Sequence, residues 1–288
     1  MRNLKYLFIF LFFLCINNAW AINISESLVP GGLAILPLGE IKINKNNVTT
    51  NRPKVTFQGR KSAIAVYDNH WYAMIGLPLK LKPNKIYYAR VSQSGKKNNY
   101  LINVKNKKYP EQRITVKNQR MVVPNKLDMK RINSEKKIIS KAKYYWDDQP
   151  LDYNFMRPIE GKLISKFGLK RFFNNQPRSP HSGIDVPAPT GTPINSIAKG
   201  KVLLTGEFYF NGKTVFISHG QGVVSFYCHM DEIDVQEGDL VTQHSIIGKV
   251  GSTGRSTGPH LHMSLYFNGV AVDPEIFLEY QEYQKEPK

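Results

Sequence analysis

Cysteine is almost absent from this chain: Cys15 and Cys228 are the two in 288 residues. Two thiols exclude a disulfide framework, and a chain of this length does not need one if its apolar core is large enough. Acidic residues are scarce as well, 22 against 40 Lys and Arg, which gives a formal net charge of +18. Long apolar runs are missing beyond Tyr6 to Ile16, and those eleven residues fall short of the twenty or so that a membrane span requires. Gly251 to Gly258 is rich in glycine but has no Gly-Lys-Ser/Thr, so a phosphate-binding loop is excluded there and a groove wall open to close backbone approach is expected instead. The chain has no recognisable nucleic-acid-binding motif, and its basic residues are spread rather than interleaved with stacking aromatics, so nucleic acid is set aside as a partner despite the charge.

Met1-Arg2-Asn3-Leu4-Lys5 carries two cations and no acid, an apolar run follows, and Asn18-Ala19-Trp20-Ala21 offers the small-x-small pattern of a cleavage site. Residues 1–21 are therefore expected to be a signal peptide cut near Ala21. Removing it takes Cys15 away, leaves Cys228 alone and leaves a charge of +16. The expectation is an exported protein of the periplasm or cell envelope, with no transmembrane span in the mature chain, attracted to the polyanions of the wall.

Three regions follow. Residues 22–107 hold short runs rich in β-branched and aromatic residues, among them Ala34 to Leu38, Ser62 to Tyr67, Trp71 to Leu77 and Ile86 to Val91, separated by turn signals such as Pro30-Gly31-Gly32 and Lys82-Pro83-Asn84. They predict a small β-sandwich-like domain. Residues 108–150 form a basic connector in which Ile138, Ile139, Ala142, Tyr145 and Trp146 mark one stripe of a helix, with Asn133 or Ser134 as its cap. Residues 151–288 return to strands, the strongest being Lys201 to Thr205, Thr214 to Ser218, Val223 to Cys228, Ile246 to Val250 and Leu261 to Phe267. The fold class is thus mainly β, ending in an antiparallel β module with loops carrying His181 and Asp185 over one end.

The chemistry gathers in two short patterns, His181-x-x-x-Asp185 and His260-x-His262. A catalytic zinc uses three protein ligands and leaves a fourth position to water, and these patterns supply three nitrogen or oxygen ligands plus one spare imidazole. Gly183 and Pro187 argue against a helix between His181 and Asp185. A fully extended chain would separate the two by roughly 13 Å at about 3.3 Å per residue, so the segment must bend, and Gly183 is where it is expected to do so. His260 and His262 share one face of a strand.

Ser165-Lys166-Phe167-Gly168, His181-Ser182-Gly183-Ile184-Asp185, Gly191-Thr192-Pro193, Ser218-His219-Gly220, Tyr227-Cys228-His229-Met230, Gly251-Ser252-Thr253-Gly254 and Gly258-Pro259-His260-Leu261-His262 occur in this order. Over roughly the last 130 residues the chain resembles the lysostaphin-type zinc metallopeptidases. The front region resembles, more weakly, the β-rich amino-terminal domain of envelope members. The resemblance implies one Zn2+ per chain held by His181, Asp185 and His262, with His229 and His260 as catalytic imidazoles whose division of labour stays open. It implies hydrolysis of peptide cross-links in peptidoglycan, with the stem peptides as partner and a recruiting envelope protein as a further one.

A non-catalytic activator of cell-wall amidases, or a peptidoglycan-binding envelope protein, is the alternative. Relatives of that kind have lost their ligands, whereas all five positions stand here. His219 is expected to be structural, His244 exposed in its turn, and Cys228 turned into the core, away from Tyr227 and His229. The domain order leaves the front domain or the connector placed to cover the groove.

Overall fold

A computed structural model describes residues 24, 26–45, 49–278 and 281–282. The expected signal peptide, with its cleavage site and Cys15, lies outside the described residues. Among those described, no helix is long and apolar enough to cross a membrane.

Strand alternation explains the front part. A three-stranded antiparallel sheet runs in the order Leu33–Glu40, His70–Gly76, Ala63–Tyr67. Ala34, Ile64, Ala73 and Ile75 form one of its faces and share a core with Val55, Phe57, Ala89 and Val91. Those partners belong to a four-stranded sheet of Arg60–Lys61, Lys54–Phe57, Ile86–Gln93 and Lys96–Asn103. This is the sandwich-like arrangement expected from the turn spacing. The opposite face, with Leu33, Ala63, Ala65 and Met74, is also buried, in the core of the carboxy-terminal part. Gln221 extends that junction: its amide accepts from the Ile64 N–H and donates to the Ile64 carbonyl, both at 3.0 Å. The front sheets are built onto the rest of the molecule, which their sequence alone did not reveal.

In the carboxy-terminal part the main sheet path is Ile184–Pro187, His260–Phe267, Val223–Ile233, Gly212–Ser218, Gly200–Phe208, Leu240–Val241, with every pairing antiparallel. Leu261, Met263, Leu265 and Phe267 alternate into one core with Ile184, Val186, Val215 and Ile217. Each fully buried side chain of this size contributes about 1.5–3 kcal/mol. A slip of one residue would drive His260, His262 and Ser264 into that core, so burial fixes the register that places the histidines on the other face. Asp185 lies within the strand Ile184–Pro187, not in a loop as expected; the flanking Ile184 and Val186, both completely buried, pull the segment into the sheet.

The stretch between the two parts contributes more than a linker would. Its strand Glu111–Ile114 pairs in parallel with Lys170–Phe173. Its helix runs Lys126–Lys143 and begins well before the expected cap. Asn125, not Asn133 or Ser134, is the cap: Asn125 Oδ1 accepts from the Asp128 N–H at 2.9 Å, and the Asp128 carboxylate faces the Asn125 N–H in return. This reciprocal Asn-x-x-Asp box satisfies two end N–H groups, while Ser134 lies inside the helix and donates to the Arg131 carbonyl. The apolar stripe is shifted accordingly. Ile139 and Ala142 pack on the sheet, Ile138 is exposed, and Tyr145 and Trp146 lie beyond the helix end.

Candidate metal centre and groove

Strand register brings the five expected residues together. Asp185 is opposite His262 across one strand pair, and His262 is opposite Cys228 across the next. His181 precedes the first strand and is tied by backbone hydrogen bonds, its carbonyl to the Gly168 N–H and its N–H to the Leu169 carbonyl. The bend between His181 and Asp185 does pass through Gly183, but not by way of a left-handed conformation. A Cβ there would lie 2.1 Å from the Met263 carbonyl oxygen, so glycine is required by the close approach of the neighbouring strand.

His229 reaches the centre by a different route. Lys213 pairs with Met230 and Val215 with Tyr227, which leaves Cys228 and His229 together opposite a single residue. At this bulge His229 adopts φ 64°, a left-handed conformation uncommon for a residue with a side chain. Bulges re-aim side chains, and this one breaks the alternation on which Cys228 was expected to face away from His229. Cys228 is buried in a cluster separate from that of Tyr227, as expected, but it shares the groove wall with His229.

His181, Asp185 and His262 are buried and converge tightly. His181 Nε2 is 3.1 Å from Asp185 Oδ1 and 3.0 Å from His262 Nδ1, and His262 Nδ1 is 2.7 Å from Asp185 Oδ1. The far side of each ring fixes its tautomer. His181 Nδ1 donates to the Lys166 carbonyl at 2.7 Å, which leaves Nε2 bare. His262 Nε2 has the Ser264 hydroxyl at 2.9 Å as its acceptor. With those tautomers, two ring nitrogens and a carboxylate oxygen turn lone pairs toward one point, an arrangement that suits a cation. Tetrahedral ligation at 2.0–2.1 Å spaces ligand atoms about 3.3 Å apart, close to the separations seen, so the donor set fits a zinc ion.

Burial pushes His262 down to about 3, and His229 down to about 4 with help from His260. Both imidazoles are therefore neutral near pH 7. Burial works to raise the Asp185 carboxyl, but His181 and His262 outweigh it and hold the group well below the usual carboxylate range. His260 Nε2 lies 3.9 Å from Asp185 Oδ1, and its ring is 4.9 Å from that of His229. Nδ1 of His229 donates to the Thr253 carbonyl and Nδ1 of His260 to the Gly258 carbonyl, each at 2.8 Å. Both rings thereby present Nε2 for proton transfer.

Three positions around Asp185 had no assigned role in the sequence. Arg171 Nη2 lies 2.6 Å from Asp185 Oδ2, and Arg171 Nε donates to Gln112 Oε1 at 3.0 Å. Gln112 and Arg171 are register partners across the parallel strand pair, and the Gln112 amide also reaches Ser165 Oγ at 3.1 Å. Ser165 was part of a matched motif without a role, and Arg171 follows that motif closely. Gln112 carried no sequence signal, because its contribution depends on a long-range parallel pairing.

The centre opens into a groove of about 580 Å³. Met129, Ile132, Lys136, Ile139 and Lys143, one face of the helix, line its opposite wall. His219 and His244 lie elsewhere, as expected. His219 is buried between the Lys199 carbonyl and the Ser225 hydroxyl, and His244 is exposed with φ 73°.

Comparisons with known proteins agree with this arrangement. Residues 179–274 match the profile described as Peptidase family M23, and residues 26–107 match that of the Peptidase family M23 N-terminal domain. The DD-carboxypeptidase/endopeptidase Mpg of Neisseria meningitidis is 45% identical over 122 residues, 42% of this chain and 28% of that protein. The peptidoglycan DD-endopeptidase ShyA of Vibrio cholerae is 36% identical over 119 residues, 40% of this chain and 28% of that protein. The match thus spans little more than a quarter of either relative. A crystal structure of an M23 protein from Pseudomonas aeruginosa is similar over 88% of this chain and 95% of its own, with 34% identity and a TM-score of 0.72.

Proposed function

The chain belongs to peptidase family M23, and on that premise we propose that it is an exported zinc metalloendopeptidase that hydrolyses peptide cross-links of peptidoglycan. The observation that carries the proposal is the convergence of His181, Asp185 and His262 on one point of a groove, with two further imidazoles beside it. The relatives' names, DD-carboxypeptidase/endopeptidase and peptidoglycan DD-endopeptidase, favour the direct cross-link between stem peptides, an amide joining two D-centres, as the bond cut. The net charge of +16 left once residues 1–21 are removed draws such a protein to the polyanionic wall of the periplasm.

His181, Asp185 and His262 would hold the zinc, with the ionised carboxylate offsetting part of its charge. Zinc supplies a Lewis acid that polarises the scissile carbonyl and acidifies the attacking water. His229 and His260, each pinned through Nδ1, share the proton transfers through Nε2: removal from the attacking water and delivery to the leaving amine. A protonated ring at either position also stabilises the developing oxyanion. Arg171, held by Gln112, fixes the Asp185 carboxylate from behind, and Ser264 and Lys166 fix the two ligand imidazoles.

Mass analysis of a synthetic cross-linked muropeptide dimer after incubation with the zinc-loaded chain tests this reading. Scission of the cross-link amide is expected. A dimer left intact by zinc-loaded protein would instead favour a wall-binding or amidase-activating role.

A further inference from the structure

The groove holds a second group of polar side chains, separate from the five residues of the metal centre. Arg255 lies in the glycine-rich loop, with its guanidinium carbon 4.2 Å from the Phe210 ring centroid and 4.4 Å from that of Phe173. Its side chain makes one hydrogen bond, from Nη1 to the Met121 carbonyl at 3.2 Å, and among the described residues it has no acidic partner. Arg178 lines the same groove. It donates to the Pro177 and Val122 carbonyls and to the Gln176 side chain, again with no carboxylate. Arg171, the third guanidinium of the groove, is already committed to Asp185.

Burial, together with the nearby charges of Arg178 and Arg171, pushes the Arg255 guanidinium down to about 10. A half-buried cation beside two others, with no counter-ion, is costly unless something anionic completes it. Cation–π contact with two rings repays part of that cost. Apart from the bond to Met121, the guanidinium N–H groups have no protein acceptor among the described residues, and their fork matches the two oxygens of a carboxylate.

We infer that Arg255 and Arg178 form a carboxylate-binding subsite, which selects peptide substrates bearing a free carboxylate next to the bond to be cut. The inference rests on the proposed peptidase reading and deepens it. In a cross-link between two D-centres, the residue that supplies the leaving amine keeps its own α-carboxylate, and a peptide ending in D-alanyl-D-alanine presents the same group at the same place. One anion subsite therefore suits both bonds, while an amidated or glycine-bridged substrate lacks its partner.

The test is equilibrium binding, by calorimetry on the full zinc-loaded chain, of an uncleavable ketomethylene analogue of N-acetyl-D-alanyl-D-alanine, prepared as the acid and as the carboxamide. The acid is expected to bind at least tenfold more tightly. In Arg255→Met and in Arg178→Gln that preference is expected to fall at least fivefold, with zinc content unchanged. Equal affinity of the wild-type chain for acid and amide overturns the subsite. So does a preference that survives undiminished in both variants, since the carboxylate would then be binding the metal. Binding requires no turnover, so a chain that prefers the acid but cuts no dimer would contradict the peptidase reading and leave the subsite standing.

Discussion

Arg171 Nη2 lies 2.6 Å from Asp185 Oδ2, while the other oxygen of that carboxylate faces His181 and His262. One carboxylate thus joins a half-buried guanidinium to the two imidazoles, and its orientation is set from the side away from those rings. Partners of this kind typically contribute ten- to a hundredfold in metal affinity. Arg171→Met is expected to weaken zinc binding by about that factor, and Gln112→Ala by less, both measured by competition with a chelator. Unchanged affinity in Arg171→Met would show that Asp185 is held by the sheet alone.

Four of the five histidine and aspartate positions of the centre are expected to separate into two groups. His181→Ala and Asp185→Ala remove ligand atoms and should lose zinc and activity together. His229→Ala and His260→Ala should keep one zinc per chain and lose about 10²–10⁴-fold in kcat, the usual contribution of a positioned acid or base. Metal analysis beside turnover of a muropeptide dimer distinguishes these outcomes. Activity surviving in all four variants would remove the assignment.

Helix Lys126–Lys143 is held over the groove by a few polar contacts. Arg131 donates to the Glu207 carbonyl at 3.1 Å, and Glu135 Oε2 accepts from the Tyr209 N–H at 2.9 Å. If the helix limits access of a large polymer, the double variant Arg131→Ala/Glu135→Ala should cut cross-linked wall several-fold faster than the parent, with little change on a small dimer. Slower cleavage of the wall would mean that this face assists binding instead.

The placement of strands and histidines was largely legible in the sequence because both follow from alternation. Leu261, Met263 and Leu265 alternate with His260, His262 and Ser264, and that period alone assigns the faces. What was not legible depends on contacts far apart in sequence or on a break in the period. Gln112 reaches Arg171 only through a parallel pairing between segments nearly sixty residues apart, and His229 turns into the groove only because a bulge inserts a residue. The helix start was read late because the apolar positions chosen, Ile138 to Trp146, lie in its last turns and beyond, while Met129 and Ile132, which share the face of Ile139 near the Asn125-Asp128 capping box, were not counted. Ala63 and Ala65 gave no warning that the front sheet is buried on both sides, since small residues satisfy either environment.

His219 gives a pH dependence that is independent of the metal. Burial pushes its imidazole from 6.5 down to about 4 in the folded chain. The unfolded chain therefore binds the extra proton first, and stability complete above about pH 6.5 is lost as pH falls toward about 4, by about 3 kcal/mol at most. Denaturant midpoints measured from pH 7 to pH 4 should decline less steeply for His219→Gln than for the parent. Parallel slopes would mean that His219 is not neutral in the fold.

The most direct measurement is incubation of the full chain with purified sacculi, in the presence and absence of a chelator and after zinc is restored, with the released fragments identified by mass. The account predicts fragments cut at the stem-peptide cross-link, abolished by the chelator and recovered with zinc. Sacculi that stay intact with zinc-loaded protein, or fragments that appear equally in chelator, would contradict it.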